Sequence, residues 1–418
     1  MRFLILTQYY PPEIGAPQVR LAALAAELVK LNHRVEIVTA IPHHLIGRMY
    51  PGYERKIFTR EISNGATVTR TWAFAASGTG FPRLLNYLSF SCSSLIGLFT
   101  SSRPDYIFVE SPPLFLGVSA WLYARVKRAP IIFNVADLWP DSVRELGVLS
   151  PGWVYDMAEH LERWIYRKSS FVNAATNGIL NTLRDTKGVP ASKLLFLPNG
   201  VDTDLFFPRP PDKAFLQNLD LVGKKTILYA GTFGAAQGLG IVIDCAAALR
   251  ELNIVFLLVG EGHTKKALIE LARARRLDNV RFMDAQPLQV MPRLFSLATA
   301  SIVPLVKRDL FKSARPSKIF ASLASGVPVL YCGEGEAGEL IRSHEAGIVT
   351  PPEDAAALSA SVRNICEQPE MRDLMSRNAR ELAVREFDWS AIVANWLRSL
   401  VSQEQTASVA RRSECITD

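Results

Sequence analysis

Residues 315–330, RPSKIFASLASGVPVL, hold the pattern that decides the fold: a helix start, a short helix and the beginning of a buried strand. Pro316 and Ser317 are typical of a helix start, where a serine hydroxyl accepts hydrogen bonds from the first N–H groups. Lys318 follows in the first turn, where a cation is usually disfavoured because the helix N-terminus is already partly positive. A bound anion would explain this lysine, since the N–H groups, the dipole and the ammonium would all face it. The alternative is a solvated surface lysine.

The same alternation of apolar strands and helical segments runs through both halves of the chain. In the first half, strands are predicted in RFLILT, HRVEIVTA, YIFVES, PIIFNVAD, FVNAAT and LLFLPN, and helices in PQVRLAALAAELVKL and at 114–127. In the second half, strands are predicted in TILYAG, VFLLVG, NVRFMD, SIVPL and PVLYCG, and helices at 239–252, 264–275, 337–344 and 354–367, with two more beyond 369. Strands rich in Ile, Val, Leu and Phe between helices indicate parallel sheets covered on both faces. We therefore expect two doubly wound, Rossmann-like α/β domains in tandem.

A change of composition separates the two halves. A chain of 418 residues favours two domains over one. The stretch NGVDTDLFFPRPPD (199–212) is rich in turn residues and prolines, so it is predicted to be the linker. We place the first domain at 1–200 and the second at 201–385. Residues 403–418 are polar and are predicted to form a frayed tail.

Composition limits the classes of partner. The net charge is +7 and the isoelectric point is about 9.1, which favours a phosphorylated small molecule, a nucleic acid or an anionic membrane face. No nucleic-acid-binding motif accompanies this charge, so no nucleic-acid partner is expected. The 5 cysteines are scattered without a C-x-x-C pair, which indicates reduced thiols in a cytosolic setting and no zinc site. His43 and His44 have no ligand cluster near them, so no metal is expected.

Two apolar stretches bear on targeting. The N-terminal MRFLILTQYYPPE has an apolar run only from Phe3 to Leu6, which predicts a buried strand and not a signal peptide. Residues 84–99, LLNYLSFSCSSLIGLF, are Ser-rich and uncharged. They form either a buried helix or a helix that dips into a bilayer interface. No stretch is long enough to span a membrane.

The loops after the strands are the places to look for a ligand, because ligands of such sheets bind at the carboxyl ends of the strands. The first loop, YYPPEIGAPQ, lacks G-x-G-x-x-G, which argues against a dinucleotide cofactor. Gly15 and Ala16 are small and precede a helix, so the backbone there is able to approach a ligand closely. An ordinary strand-to-helix turn is the alternative.

Loops in the second half point to a phosphorylated ligand. GTFGAAQG (231–238), GEGH (260–263) and GEGEAGEL (333–340) each follow a strand and offer little side-chain obstruction. The loop before the opening helix adds two cations, Arg315 and Lys318. Four such loops at one sheet edge predict a phosphate site in the second domain. Its candidate ligand-binding residues in the first and second of these loops are Gly231, Gly234, Gln237, Gly238 and Gly260.

Seven segments spread over the chain become specific when they are taken together. They are YYPPEIGAPQVRLAALAAELVKLNHRVEIVTAIP, DLWPDSVRELGVL, LPNGVDTDLFFP, YAGTFGAAQGL, LVGEGHTKKAL, RPSKIFASLASGVPVL and EAGELIRSHEAGIVTPPED. From Met1 to about Leu400 the chain resembles glycosyltransferase family 4, which has the GT-B fold. Within the family it is similar to bacterial surface-polysaccharide transferases of the fucosaminyltransferase type.

The resemblance implies a division of labour. The second domain would hold a nucleotide-sugar, UDP-linked in this branch, and the first would hold the acceptor. Transfer would retain the anomeric configuration without a metal or other cofactor, so N–H dipoles and Lys318 would stabilise the charge that grows on the diphosphate. The resemblance also implies a final helix, at about 386–402 with Trp389 and Trp396, that crosses back to the first domain. Core packing is the simpler explanation of these tryptophans.

The chain departs from the family where glutamates are usual. The second glutamate of a frequent pair, which holds the ribose hydroxyls in the family, corresponds to Ala321, and the first falls near Ser313. The usual Arg and Lys of the loop after TILYAG appear as Thr232 or Phe233 and as Gln237. Lys318 and Arg315 would then carry more of the phosphate charge. Three glutamates of the next loop are candidates to replace the missing acids: Glu334, Glu336 and Glu339.

Acceptor-side candidates come from the first domain. Asp137 opens DLWPDS at the end of a strand, where it either contacts an acceptor hydroxyl or forms a turn or helix cap. Glu110, which follows YIFV, and the pair His43 and His44 are the other residues expected to line the acceptor side.

The function predicted from the sequence is retaining, metal-independent sugar transfer from a nucleotide-sugar. The acceptor would be lipid-linked or a growing bacterial polysaccharide, and the donor sugar an N-acetylated deoxy sugar. The protein would be cytoplasmic, with peripheral attachment at the inner membrane face. A GT-B nucleotide-sugar epimerase and a degenerate nucleotide-sugar-binding subunit are the alternatives.

Overall fold

The chain forms two α/β units in the computed structural model, which describes residues 1–13, 15–43, 47–76, 80–145 and 152–414. The first unit comprises Met1–Pro198 and the chain from Trp389 onward, and the second comprises Asn199–Asp388. The boundaries predicted from the sequence are 200/201 and 385/386.

The first unit is built on a sheet with the strand order β3-β4-β2-β1-β5-β6-β7-β8. Its strands are β1 (Arg2–Leu6), β2 (Arg34–Ala40), β3 (Phe58–Ser63), β4 (Ala66–Thr71), β5 (Tyr106–Ser111), β6 (Ile131–Val135), β7 (Phe171–Ala174) and β8 (Leu194–Phe196). The helices are α1 (Ala16–Lys30), α2 (Phe81–Thr100), α3 (Leu116–Lys127), α4 (Asp141–Glu145), α5 (Trp153–Lys168) and α6 (Asn177–Asp185). Strands β5 and β6 are buried from end to end, as strands covered on both faces must be.

The second unit is built on a parallel sheet with the order β11-β10-β9-β12-β13-β14. Its strands are β9 (Lys225–Ala230), β10 (Ile254–Val259), β11 (Val280–Met283), β12 (Ala300–Pro304), β13 (Val329–Cys332) and β14 (Gly347–Thr350). The helices are α7 (Lys213–Asn218), α8 (Gly240–Ala248), α9 (Lys265–Ala274), α10 (Met291–Phe295), α11 (Lys318–Ala324), α12 (Glu336–Ser343), α13 (Ala355–Glu367) and α14 (Pro369–Glu386). The predicted fold class, two Rossmann-like units, is confirmed.

One hairpin was not predicted from the sequence. Strands β3 and β4 pair antiparallel at the edge of the first sheet. The two residues between them, Asn64 and Gly65, both have positive φ, at 48° and 79°. This is the type I′ geometry that Asn-Gly favours in two-residue hairpins, so the dipeptide was the available signal.

The predicted linker is a packed part of the second unit. The Val201 N–H donates to the Phe387 carbonyl at 2.8 Å, and Val201 and Phe206 are buried in the core of this unit. The Arg380 guanidinium donates to the carbonyls of Phe206 and Ala324, at 2.8 and 2.9 Å. The turn residues of 199–212 therefore shape a fixed segment, which corrects the prediction of a linker.

The last helix, α15 (Trp389–Glu414), packs on the first unit. Trp389, Trp396 and Leu400 are buried with β1 and α1, and the Trp396 ring meets the Phe108 ring edge-on at 5.9 Å. The helix continues beyond residue 402, so the predicted frayed tail is wrong for residues 403–414. Contacts to strands hold this extension: Gln403 Nε2 donates to the Leu194 carbonyl at 2.7 Å, and Tyr106 Oη donates to Glu404.

A buried polar chain joins five elements of the first unit. Arg20 of α1 forms an ion pair with Glu110 of β5. Asn134 Nδ2 donates to Glu110 Oε2 at 2.7 Å, Asn173 Nδ2 donates to Asn134 Oδ1 at 2.5 Å, and Trp396 Nε1 donates to Asn173 Oδ1 at 3.1 Å. Burial raises the pKa of the Glu110 carboxyl, while Arg20 and Asn134 favour its charged form. Glu110 is thus committed to a core ion pair, which corrects its predicted place on the acceptor side.

Replacing this carboxylate is expected to destabilise the first unit. Glu110→Gln keeps the shape but leaves the Arg20 cation buried without its counter-ion, at a cost of about 3–5 kcal/mol. Asp105→Asn is the matched control, because Asp105 pairs with Arg2 on the surface at 3.0 Å, and its loss should cost less than about 1 kcal/mol. Thermal and urea unfolding of both variants test this expectation. Equal shifts would show that the buried pair has no special weight.

Candidate functional site

Four loops meet at the carboxyl edge of the sheet in the second unit. They follow β9, β10, β12 and β13. The Phe233 N–H donates to the Glu261 carbonyl at 2.8 Å, and the Val306 N–H donates to the Ala236 carbonyl at 3.0 Å. Gly335 lies so close to Lys312 that a Cβ would be 2.0 Å from its carbonyl oxygen. The structure thus brings together the loops that the sequence analysis selected.

Close packing between loops explains some of their glycines. A Cβ on Gly260 would lie 1.9 Å from the Gly231 carbonyl oxygen, and one on Gly262 would lie 2.2 Å from that of Phe233. Both glycines also have positive φ, at 146° and 153°. The expectation was that these glycines clear space for a ligand. At Gly260 and Gly262 they clear space for the neighbouring loop.

Part of the hydrogen-bonding capacity of the loop after β9 is satisfied within the loop itself. Gln237 Oε1 accepts a hydrogen bond from the Gly234 N–H at 3.1 Å, so one side of the predicted ligand-binding amide serves the loop. Gly238 ends the short 3-10 helix Ala235–Gln237 in the left-handed conformation, with φ of 54°. The Phe233 ring is buried against Tyr229, whereas Thr232 and Ala235 are exposed.

Lys318 is the central cation of this edge. Its Nζ lies 5.5 Å from the centroid of the Tyr229 ring, and a Cβ on Gly231 would lie 2.7 Å from its Cε. Within the described part of the chain, this ammonium has no carboxylate or hydrogen-bond acceptor. Burial lowers its pKa to about 8. A partly buried, uncompensated ammonium is suited to bind an anion.

The N-terminus of helix α11 offers fewer free N–H donors to an anion than predicted. Ser317 has helical backbone angles, and no side-chain hydrogen bond caps the helix, which corrects its predicted role. The N–H groups of Ile319 and Phe320 donate to the carbonyls of Pro316 and Ser317, at 3.1 and 3.3 Å. Since backbone carbonyls already satisfy these donors, the Lys318 ammonium is the main positive group here.

Arg315 is compensated, contrary to the expectation of a phosphate-binding cation. Its guanidinium contacts Glu336 at 2.6 Å, and both side chains are largely buried. This pair fixes the loop before α11 against the start of α12. Glu336 is therefore engaged with a protein cation, whereas Glu339 is exposed in the first turn of α12.

The positions of the missing family glutamates have local roles. Ala321 packs against the core of the second unit. Ser313 Oγ donates to the Leu310 carbonyl at 2.9 Å, within its own turn. Glu334 is exposed and lies 3.5 Å from Lys312 Nζ. Of the three glutamates proposed as replacements, Glu334 and Glu336 each have a cation nearby. Among the described residues, Glu339 has no such cation.

The first turn of α1, after the loop that follows β1, contains a buried amide that was not predicted from the sequence. Gly15 precedes α1, and a Cβ there would lie 2.4 Å from Gln18 Oε1. Gln18 is 1% exposed, and its two amide atoms have no hydrogen-bond partner among the described residues. Buried amides are normally satisfied, so this one is an exception among the described residues. Ala16 starts the helix, and its side chain lies outside the described atoms.

His43 is enclosed, which corrects its predicted place on the acceptor side. Its Nδ1 lies 2.7 Å from the Ile41 carbonyl and its Nε2 lies 2.6 Å from Asn86 Nδ2. These partners assign a proton to Nδ1 and keep the ring neutral. Burial likewise lowers its pKa. His44 lies outside the described residues.

Asp137 remains an accessible acid of the first unit. It follows β6 and is exposed by surface area, but desolvation raises the pKa of its carboxyl, which accepts hydrogen bonds from Ser142 and the Leu138 N–H. Its carbonyl accepts a hydrogen bond from the Trp139 N–H at 3.0 Å, which shapes the turn before α4. Across the described ranges, no group of three His, Cys, Asp or Glu side chains is arranged to hold a metal ion.

Comparison with known proteins gives matches over both units. A model described as a glycosyl transferase 4-like domain matches residues 15–200, and one described as glycosyl transferases group 1 matches residues 212–382. A related protein is the putative colanic acid biosynthesis glycosyl transferase WcaI of Escherichia coli K12. It is 28% identical over 412 residues, which cover 96% of this chain and 100% of WcaI.

Solved structures of similar fold cover nearly the whole chain. Sucrose-phosphate synthase from Thermosynechococcus elongatus gives a TM-score of 0.76 at 18% identity, over 97% of this chain and 99% of that one. Anabaena HepE, in complex with UDP and glucose, gives 0.74 at 18% identity, over 96% of this chain and 100% of HepE. At these identities the likeness shows the GT-B fold.

The loop-to-loop contact is testable through its glycines. Gly260→Ala should destabilise the second unit by about 2 kcal/mol or more, because the new Cβ would overlap the Gly231 carbonyl. Gly240→Ala is the control, since a Cβ on Gly240 meets nothing within 4 Å; it should change stability by less than about 1 kcal/mol. Thermal unfolding measures both, and a well-tolerated Gly260→Ala would contradict the packing described.

Proposed function

Since this chain is a glycosyltransferase of the GT-B type, with the 4-like domain in its first half and the group 1 domain in its second, we propose that it takes its sugar from a nucleotide-sugar bound at the Lys318 edge of the second unit. Its place in polysaccharide biosynthesis follows from the match to WcaI.

The uncompensated Lys318 ammonium is the observation that carries the proposal. Arg315, the other predicted cation, is paired with Glu336, whereas Lys318 faces a ring and a glycine. A diphosphate gains negative charge as its bond to the sugar breaks. A pre-positioned ammonium in a partly dry site stabilises that charge without reorganisation.

The donor is proposed to be UDP-linked. The family branch that the sequence resembles implies UDP, and HepE, a structural neighbour, was solved with UDP and glucose. In the loop at 231–238, Gln237 Nε2 has no hydrogen-bond partner among the described residues, so it is available to a phosphate or a sugar hydroxyl. The donor sugar is proposed to be an N-acetylated deoxy sugar, as in that branch.

Transfer is proposed to retain the anomeric configuration without a metal or other cofactor. Under this proposal, the Lys318 ammonium would stabilise the negative charge that develops on the diphosphate. Asp137, exposed at the carboxyl end of β6, would contact or orient the acceptor hydroxyl. The acceptor is proposed to be a lipid-linked or growing polysaccharide at the inner face of the plasma membrane.

Removing the ammonium should weaken nucleotide binding. Lys318→Ala is expected to lower UDP affinity by about ten- to a hundredfold, the value of a hydrogen bond to a charged group. Lys312→Ala is the control, because Lys312 lies in the connection that leads to α11 but pairs with Asp309 at 2.7 Å. The UDP affinity of this variant should be unchanged. Thermal shift and calorimetry with UDP, GDP and their sugars measure this.

Three outcomes separate the hypotheses. A shift with one nucleotide that is lost in Lys318→Ala identifies the base and the phosphate site. A shift that Lys318→Ala retains would contradict the role of the lysine. No shift with any nucleotide in the wild type would contradict the proposed function and favour a chain that has lost its donor site.

The pKa of Lys318 predicts a pH dependence. Because this pKa is about 8 in the free protein and a bound anion raises it, UDP affinity should fall as the pH rises from 7 to above 9, by up to about tenfold per pH unit. The nucleotide phosphate is already about nine-tenths ionised at pH 7, so its own titration would raise the affinity slightly with pH and does not produce the fall. In Lys318→Ala the affinity should be flat, and a parallel decline in both proteins would assign the dependence to another group.

The proposed role of Asp137 affects transfer and not nucleotide binding. Asp137→Asn should lower the incorporation of labelled sugar into membrane extracts by about tenfold or more, with UDP affinity unchanged. Asp156→Asn is the control, since Asp156 is exposed on α5 of the same unit. Equal activity of the two variants would remove Asp137 from the reaction.

A further inference from the structure

Helix α2 exposes a continuous apolar stripe along its whole length. Its exposed large apolar side chains are Phe81, Leu84, Leu85, Leu88, Ile96 and Phe99, with fractional exposures from 38% to 68%. Positions 81, 85, 88, 92, 96 and 99 repeat every three or four residues, and Cys92 fills the middle of the series. They therefore lie on one face of a helix about 30 Å long.

The opposite face of α2 fixes the helix on the sheet. Phe90, Ser94 and Gly97 are buried, and a Cβ on Gly97 would lie 2.7 Å from Val38 Cγ1 of β2. Asn86 joins this face to Gln8 through a hydrogen bond of 2.7 Å. The orientation of α2 is thus set by its buried face, and the apolar stripe stays outside.

Helix α3 extends the apolar surface beside α2. Ser119 Oγ donates to the Ser91 carbonyl at 2.7 Å, and the Tyr123 ring meets the Phe99 ring edge-on at 5.5 Å. Leu122 and Val126, one turn apart on α3, are exposed at 42% and 64%. We call the exposed apolar residues of these two helices the α2–α3 surface: Phe81, Leu84, Leu85, Leu88, Ile96, Phe99, Leu122 and Val126.

The charged side chains that the two helices themselves carry are all basic, although Glu36 of β2 lies next to Ser102 and Tyr123. Neither α2 nor α3 contains an Asp or a Glu. Arg83 stands near the start of α2, and Arg125, Lys127 and Arg128 stand at the end of α3. Helix α14 of the second unit, by contrast, carries acids along with its exposed Leu374 and Val384.

We propose that the α2–α3 surface is a docking site for a bilayer that contains anionic lipid. Apolar side chains on one face would enter the acyl boundary, and the cations at the helix ends would meet the headgroups. The helices would lie in the plane of the interface, since none of the described helices combines the length and the apolarity that crossing a bilayer requires. Charge complementarity favours this occupant over an uncharged or basic protein surface. The surface is independent of the donor site, although a lipid-linked acceptor would give it a purpose.

The apolar part is tested by placing acids on the stripe. Leu88→Glu with Ile96→Glu should lower binding of the full-length protein to phosphatidylglycerol-containing vesicles by about tenfold or more in co-sedimentation. Leu374→Glu with Val384→Glu is the matched control, with the same charge change on α14, and should bind about as the wild type does. Unchanged binding of the stripe variant, while UDP still raises the melting temperature of both proteins, would overturn the proposal without touching the donor site.

The electrostatic part is tested separately. Arg125→Gln with Arg128→Gln should weaken binding to anionic vesicles roughly fivefold per cation, and less at high salt. Arg363→Gln with Arg377→Gln on α13 and α14 is the matched control and should have no such effect. Equal binding of the wild type to pure phosphatidylcholine and to mixed vesicles would contradict the charge argument.

A second copy of the chain is the competing occupant. If the wild type sediments as a dimer that Leu88→Glu with Ile96→Glu converts to a monomer, and no vesicle binding is found, the surface pairs protomers and the lipid proposal is wrong. Retained UDP stabilisation in the same samples shows that the fold and the donor site are intact. Failure of UDP binding with intact vesicle binding would contradict the proposed donor and leave the docking surface standing.

Discussion

The close approach of two backbones at the edge of the second sheet is the constraint on which the candidate site depends. The Gly231 carbonyl oxygen lies so close to Gly260 that a Cβ on Gly260 would be 1.9 Å from it. The Phe233 N–H adds a hydrogen bond between the same two loops, to the Glu261 carbonyl. This contact holds the first loop above Lys318. With the loop in place, the lysine is covered on one side by Gly231 and lies near the Tyr229 ring. Partial burial of the ammonium, and with it the low pKa, follows from this packing and not from any ion pair.

The charges of the two units are arranged in contrasting ways. Arg20 with Glu110 and Arg315 with Glu336 are buried pairs that connect neighbouring elements. Such pairs add geometric definition more than net stability, because desolvation offsets much of their attraction. Lys318 is the exception among these cations, since no carboxylate faces it within the described chain. An unpaired cation costs stability in the free protein, and a ligand that supplies the counter-charge recovers it. The same reasoning applies to the unsatisfied amide of Gln18 beside Gly15.

The first unit uses the two faces of its sheet differently. On one face, α1 and α15 bury tryptophans against β1 and β5, and the Asn173–Trp396 hydrogen bond ties the last helix to the core. On the other, α2 rests on β2 and β4 through small buried residues and leaves its large apolar side chains outside. Exposed apolar patches of this kind usually mark a surface that binds a partner. Residues 84–99 therefore lie in a packed helix, and its exposed apolar face is the one on which the proposed bilayer docking depends.

The sequence by itself determined the two parallel-sheet units, the family and the four loops at one sheet edge, because strand runs, glycines and motif spacing are local properties. It determined that Lys318 stands at the start of a short helix. The dipeptide Asn64-Gly65 was a local signal for the hairpin of β3 and β4, although the hairpin was not predicted. Only the tertiary structure decided which charges are compensated. Arg315 and Glu336 are 21 positions apart in the chain and 2.6 Å apart in space, and Glu110 meets Arg20 across 90 positions. Likewise, His43 looks available in the sequence but is enclosed by Asn86, 43 positions away, whereas Gln237 is engaged by Gly234 within its own loop. The availability of a polar group for a ligand depends on which neighbours folding brings to it, and for most of these groups those neighbours are distant in the chain.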